Sequence, residues 1–180
     1  MLVLLDRDGV LNRDMKTGIL RLEDFEILPS VPTALAHLTQ AGYQLAICTN
    51  QSAIGRGLLS LETLDEMHAL LQHEVARAGG RIDKIYVAPD APEHPTHRRK
   101  PNPGMLQEAL QHFSADPAQT WFIGDALRDM QAAAAAGCPR ILVRTGHGAE
   151  TEAAGLPDAV QPVIVCDHIS AAVEYILSGS

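Results

Sequence analysis

LVLLDRDGVLN, residues 2–12, is the stretch on which the fold turns. Four apolar residues run without a polar break, then give way to Asp6, Arg7, Asp8 and Gly9. A short, continuous apolar run predicts a strand covered on both faces, as in parallel sheets. In extended backbone, residues i and i+2 point the same way, so the carboxylates of Asp6 and Asp8 can face one pocket. Gly9 allows a sharp turn immediately afterwards. On its own the same pattern also describes an ordinary acidic turn, so the rest of the chain has to decide.

Working outward, QLAIC (44–48), KIYVA (84–88), TWFIG (120–124) and RILVR (140–144) repeat the buried-strand pattern, with VIVC (163–166) a weaker sixth. Between them the apolar spacing predicts helices over 32–41, 61–78, 103–113, 127–136 and 170–177. Leu64, Met67, His68 and Leu71 share one helical face, and Ser60 is placed to cap that helix. Pro103 suits a helix start, and glycines 42, 79, 80 and 137 suit helix ends. This β-α alternation predicts an α/β fold: a Rossmann-like three-layer sandwich with a central parallel sheet and right-handed crossovers. The 180 residues are expected to form a single domain, 1–180, with loop inserts and no room for a separate cap domain. Residues 13–20 read as a flap over the pocket and 148–162 as a solvated surface connection.

Lys and Arg number 14 against 22 Asp and Glu, a net charge of −8 that argues against nucleic acid or an anionic membrane as the main partner. An anionic ligand would then need local cations. Cys48, Cys138 and Cys166 show no C-x-x-C spacing and read as reduced thiols. The opening residues lack a basic region and a long apolar run, so a cytoplasmic protein without a membrane span is expected.

In doubly wound sheets, ligands sit beyond the carboxyl ends of the strands. After the second strand stand Thr49, Asn50, Gln51 and Ser52, which supply hydroxyl and amide groups; a polar turn would read alike. After the fourth stands Asp125, with Asp129 one helical turn on; simple helix capping by Asp125 is the competing reading. Together, three acids (Asp6, Asp8, Asp125) converge on one sheet edge. Oxygen-only ligands favour Mg²⁺ over Zn²⁺. A carboxylate nucleophile beside Mg²⁺ points to phosphoryl transfer.

With D-x-D-G in DRDGVLN, Thr49 after strand two, Lys100 in RRKPNPGM and G-D-x-x-x-D in GDALRDM, the chain resembles the haloacid dehalogenase superfamily of phosphohydrolases. TNQSAIGRG, GDALRDMQAAAAAG and LVRTGHG extend the likeness to a small, minimally capped subgroup whose members act on heptose 1,7-bisphosphate or histidinol phosphate. The resemblance places strand one centrally between strands two and four. It implies that Asp6 is the nucleophile, forming an aspartyl-phosphate, and that Asp8 is the general acid and then base, in an environment favouring its neutral form. Mg²⁺ would be held by Asp6, the backbone carbonyl of Asp8, and Asp125. Asp129 would orient Lys100 or the metal shell, while Thr49, the amide of Asn50, and Lys100 would hold phosphate.

For the sugar phosphate the expected contacts are Asp14, Asn50, Gln51, Ser52, Arg56 and Arg99, with Lys16 available on the flap; for Asp14, Lys16 and Arg56 a solvated loop is an equal reading. The expected activity is hydrolysis of the 7-phosphate of a heptose 1,7-bisphosphate, in precursor synthesis for lipopolysaccharide or surface glycan, by a monomer. A histidinol-phosphate phosphatase and a non-catalytic, receiver-like phospho-acceptor are the alternatives. Relatives often hold a structural zinc with Cys or His at positions that here read Ala88, Asp90, Thr96 and Arg98, so zinc is expected to be absent. Asp90, Glu93, His94 and His97 could form an improvised site, but solvated histidines are the commoner outcome. Pro89, Pro92 and Pro95 offer a metal-free stiffener.

Overall fold

The computed structural model describes residues 1–15 and 18–179. Six parallel strands form one sheet: β1 (Leu2–Leu5), β2 (Gln44–Asn50), β3 (Lys84–Ala88), β4 (Trp121–Gly124), β5 (Arg140–Val143) and β6 (Ile164–Cys166). Their order is β3-β2-β1-β4-β5-β6, so β1 is central, with β2 and β4 on either side. Leu5 pairs with Ile47 and Ile123, so β1 and β4 end nearly level just before Asp6 while β2 runs on to Asn50.

Helices cover both faces: α1 (Val31–Gln40), α2 (Ser52–Gly55), α3 (Leu61–Arg77), α4 (Gly104–Phe113), α5 (Leu127–Ala136), α6 (Gly148–Ala153) and α7 (Ile169–Leu177). The period-2 alternation of β1 divides the core. Val3 and Leu5 pack with residues of α1, α3 and α7, while Leu2 and Leu4 pack with residues of α4 and α5. In α1 the buried residues Val31, Ala34, Leu35 and Leu38 follow the helical period. Ser60 caps α3, its hydroxyl accepting the Thr63 amide at 3.0 Å. Ala132 and Ala133 of α5 are fully buried, so the alanine run is a close-packed face.

Two local features differ from expectation. β2 runs on through Thr49 and Asn50, so these are strand residues. The segment 148–162 is not merely a solvated connection: it contains α6 and a 3-10 turn, and Val160 is buried in the core. A six-residue helix shows little apolar period, and this one is tied down by side chains. Arg144 donates to both Glu152 oxygens at 2.6 and 2.8 Å, and the Thr151 hydroxyl donates to the carbonyl of Asp125 at 3.2 Å. Asn12 and Ile27 form an antiparallel bridge; Ile19, within the 13–20 stretch expected to be a flap, and Phe25 beyond it are buried. Lys16, expected to meet the substrate there, lies outside the described residues. No helix among the described residues is long and apolar enough to cross a membrane.

Leu35→Ala removes a fully buried side chain of α1 well away from the strand ends. The expected loss is about 2–5 kcal/mol of unfolding free energy, measured by urea denaturation, with an unchanged urea dependence of that free energy.

Candidate active site

Asp6 is the first residue beyond β1, and its amide donates to the carbonyl of Ile123 at 2.9 Å, extending the ladder by one bond. Its carboxylate accepts the Arg7 amide at 2.7 Å and lies 2.8 Å from Lys100 Nζ. The same Nζ is 2.7 Å from Asp129 Oδ1. All three side chains are buried, and Nζ also lies 5.4 Å from the centre of the Phe122 ring. Burial alone would lower the pKa of Lys100, but the charges of Asp129 and then Asp6 outweigh it and raise it. Burial and the Asp129 charge push the Asp6 carboxyl up to about 6, against the pull of Lys100.

Asp8 is held quite differently. Its carboxylate accepts Arg7 Nη2 at 2.8 Å and Nε at 3.2 Å, Asn12 Nδ2 at 2.9 Å and Gln51 Nε2 at 2.7 Å. Burial would raise its pKa, but the Arg7 charge and these donors lower it below the usual carboxylate range. The expectation that the surroundings favour a neutral Asp8 is therefore corrected. The reason is Arg7, the middle residue of D-x-D, whose fully buried guanidinium faces Asp8 and stacks 5.3 Å from the Phe25 ring centre. Arg7 Nη1 also lies 3.3 Å from His68 Nε2. Arginine only donates, so that nitrogen accepts. Burial and the Arg7 charge push His68 down to about 4, so the ring is neutral at neutral pH.

Asp125 follows β4 and faces Asp6. Its Oδ2 accepts the amide of His147 at 2.8 Å. A Cβ on Gly9 or on Gly146, both at positive φ, would collide with that same oxygen, so the two glycines admit the carboxylate between two turns. Asp125 does not cap α5. Asp129 does, its Oδ2 accepting the amides of Ala126 at 3.0 Å and Asp125 at 3.2 Å. Burial, Asp129 and Asp6 push Asp125 up to about 8.

The donors after β2 are more committed than their sequence implies. Asn50, expected at the substrate, pairs side chain to backbone with Lys100: Nδ2 donates to the Lys100 carbonyl at 2.9 Å, and Oδ1 accepts its amide at 3.0 Å. Gln51, also expected there, is buried and bridges Asp8 to Thr49 Oγ1, the latter at 2.9 Å. Asp14 is half-buried and pairs with His147 Nε2 at 2.9 Å. These three side chains are thus engaged by the protein itself. They nevertheless line, with Ser52, Arg56 and Arg99, a cavity of about 260 Å³ that opens onto Asp8. Arg128 lines it too, and sequence reasoning passed over it, along with Arg7, Asn12 and His147. Only their places inside the quoted motifs signalled them.

Asp6, Asp125 and Asp129 offer carboxylate oxygens all within 4.8 Å of one another, the one such group of three among the described residues. Asp125 Oδ1 is buried without a hydrogen-bond partner, while Asp129 Oδ1 is paired with Lys100. Hard oxygen donors, the orphaned Asp125 Oδ1 and raised pKa values on Asp6 and Asp125 all fit a Mg²⁺ ion held by Asp6 and Asp125. The loop candidates do not gather: Glu93 pairs with Arg56 at 2.8 Å, His97 meets Gln107 at 2.9 Å, and Asp90 accepts from Thr96 at 2.8 Å.

Two differently held acids beyond a central parallel strand, a buried lysine and an acidic metal cradle define a phosphohydrolase of the haloacid dehalogenase class. Residues 97–172 match the family model described as HAD-hydrolase-like. The chain is 39% identical over 176 residues to the D-glycero-β-D-manno-heptose-1,7-bisphosphate 7-phosphatase of Pseudomonas aeruginosa, spanning 98% of this chain and 97% of that protein. Its fold superposes with a TM-score of 0.94 on the D,D-heptose 1,7-bisphosphate phosphatase of Bordetella bronchiseptica complexed with magnesium and phosphate, at 38% identity over 99% of each chain. The corresponding enzyme of Burkholderia thailandensis gives a TM-score of 0.76 at 38% identity over 98% of each. The chain belongs to the heptose-1,7-bisphosphate 7-phosphatase family of HAD-like hydrolases.

The raised Asp125 sets a pH dependence. Between its ordinary value of 3.8 and about 8, the metal-free folded protein holds a proton that the unfolded chain does not, so its stability falls as pH rises through that window. Mg²⁺ competes with that proton. The increase in melting temperature on adding Mg²⁺ is therefore expected to grow from about pH 6 to about pH 8, with protons released on binding in calorimetry; a pH-independent increase would count against Asp125 as a ligand.

Proposed function

We propose that the chain is a Mg²⁺-dependent phosphatase that removes the 7-phosphate of D-glycero-D-manno-heptose 1,7-bisphosphate, working as a single-domain monomer. The observation that carries this reading is the pair Asp6 and Asp8: one carboxylate beside a lysine and the metal cradle, the other wrapped in neutral and cationic donors. Full-length similarity to heptose bisphosphate phosphatases supports the substrate.

An Asp6 oxygen attacks phosphorus in line. The bond from phosphorus to the sugar oxygen breaks, and Asp8 protonates the departing oxygen. Water then attacks the aspartyl-phosphate, giving its proton to Asp8, and inorganic phosphate leaves. Asp8 is anionic by itself, which suits the second half. For the first half, the dianionic phosphate arriving beside it disfavours the charged carboxylate and raises its pKa. Lys100 and the hydroxyl of Thr49 hold phosphoryl oxygens, Asn50 fixes the Lys100 backbone, and Asp129 orients the Lys100 ammonium. Bound Mg²⁺ supplies charge neutralisation between Asp6 and the phosphate, with Asp125 and the carbonyl of Asp8 as further ligands.

A kinetic screen of the purified protein with Mg²⁺ is expected to favour heptose 1,7-bisphosphate; comparable rates on histidinol phosphate would defeat the assignment. Asp6→Asn is expected to cut turnover on the order of a thousandfold or more while the protein stays folded by circular dichroism. The loop 89–98 is proposed to hold its shape without metal, and elemental analysis is expected to find no zinc.

A further inference from the structure

Arg7 is the largest fully buried side chain among the described residues, and it does not line the cavity that opens onto Asp8. Both of its ends are fixed. The amides of Val10, Leu11 and Asn12 converge on its carbonyl at 3.3, 2.8 and 3.2 Å. On the side chain, Nη2 donates to both oxygens of Asp8, at 2.8 and 3.1 Å, and Nε donates to Oδ1 at 3.2 Å. The third guanidinium nitrogen, Nη1, is left for His68, 3.3 Å away on α3.

His68 shares the buried face of α3 with Leu64, Met67 and Leu71. A histidine there is either a core residue that happens to find a partner or the far support of the arginine. The contact favours the second. Arginine only donates, so Nε2 carries the lone pair and the ring proton sits on Nδ1. Burial and the Arg7 charge, which push the ring down to about 4, keep it neutral and able to accept. A buried guanidinium N–H without an acceptor is costly, so the guanidinium stays where the contact holds. Of the donors on Asp8, Asn12 reaches Oδ1 and Gln51 reaches Oδ2, whereas Arg7 spans both oxygens and is anchored to a core helix. A shift of the guanidinium therefore turns the carboxylate, and a proton passes only along a short, aligned path.

We propose that His68 is a positioning residue for the acid–base step: by accepting from Arg7 Nη1 it fixes the guanidinium that orients the Asp8 carboxylate toward the departing sugar oxygen. This deepens the reading of Asp8 as the proton carrier and rests on it. No bond forms or breaks at His68 or Arg7; the proton passes from Asp8 to the leaving oxygen, and later from water to Asp8. The consequence is selective. His68 matters for esters whose leaving group needs a proton, and little for those whose leaving group departs as a stable anion.

The test is kcat/KM, which reports the steps up to departure of the leaving group, for the Mg²⁺-loaded wild type, His68→Met, His68→Gln and Asp8→Asn on heptose 1,7-bisphosphate and on p-nitrophenyl phosphate. Methionine fills the space of the ring without a strong acceptor, whereas alanine would admit water from the cavity of about 470 Å³ that His68 borders; glutamine restores an acceptor. His68→Met is expected to lose on the order of tenfold or more in kcat/KM on the sugar phosphate and much less on the nitrophenyl ester, with His68→Gln recovering most of the difference. His68→Leu takes the place of His68→Met if that variant is not folded by circular dichroism. Equal losses on the two esters, no loss on the sugar phosphate, or a Gln variant no better than Met, while Asp8→Asn loses selectively on the sugar phosphate, would overturn the positioning role and leave His68 a core residue. An Asp8→Asn variant that loses equally on both esters would instead overturn the proton-carrier reading itself, and this role with it.

Discussion

One ammonium group holds the site together. Lys100 Nζ lies between the carboxylates of Asp6 and Asp129 at 2.8 and 2.7 Å, in a place with almost no contact with water. Three buried carboxylates at one sheet edge cannot all stay charged without a cation among them. Everything that delivers Lys100 therefore matters: the loop after β3, the two hydrogen bonds between the Asn50 side chain and the Lys100 backbone, and the Phe122 ring near the ammonium. Asp129 does two jobs. One oxygen faces Lys100 while the other accepts the amides of Asp125 and Ala126 just before α5, so the helix start and the lysine are fixed by the same side chain.

The two acids of D-x-D share a strand end and have opposite surroundings. Asp6 is pressed upward in pKa by burial and a neighbouring acid; Asp8 is drawn downward by Arg7, Asn12 and Gln51. Separate environments for paired carboxylates are how one pocket assigns one to attack and the other to carry a proton. Here the difference is made by a buried arginine within the motif, and His68 on α3 completes its coordination as a neutral acceptor. The core helix α3 thereby reaches the chemistry through a single ring.

The parallel sheet, its strand count and most helix limits were legible in the sequence because buried strands and amphipathic helices write their periods directly into residue order. The acids at strand ends were legible too, since an extended strand orients i and i+2 together. The segment after β5 was less so. Its short helix is held by Arg144, Glu152 and Thr151, and a six-residue stretch carries no readable period. Asn50 and Gln51 line the cavity as expected, but residue type announces hydrogen-bonding capacity and not its partner, so their links within the protein were not legible. In the fold Asn50 is spent on a residue fifty positions away, and Gln51 on Asp8.

By itself the sequence determined the layered α/β architecture and the set of oxygen donors and cations at the carboxyl edge, because both depend on local pattern and on the order of short motifs. The tertiary structure alone decided which charges meet. It put Lys100 between Asp6 and Asp129, admitted Asp125 between Gly9 and Gly146, turned Arg7 inward onto Asp8, and set Arg99 and Arg128 on one cavity beside Asp8. Electrostatic pairing acts over a few ångströms in space, and the distance along the chain carries no information about it.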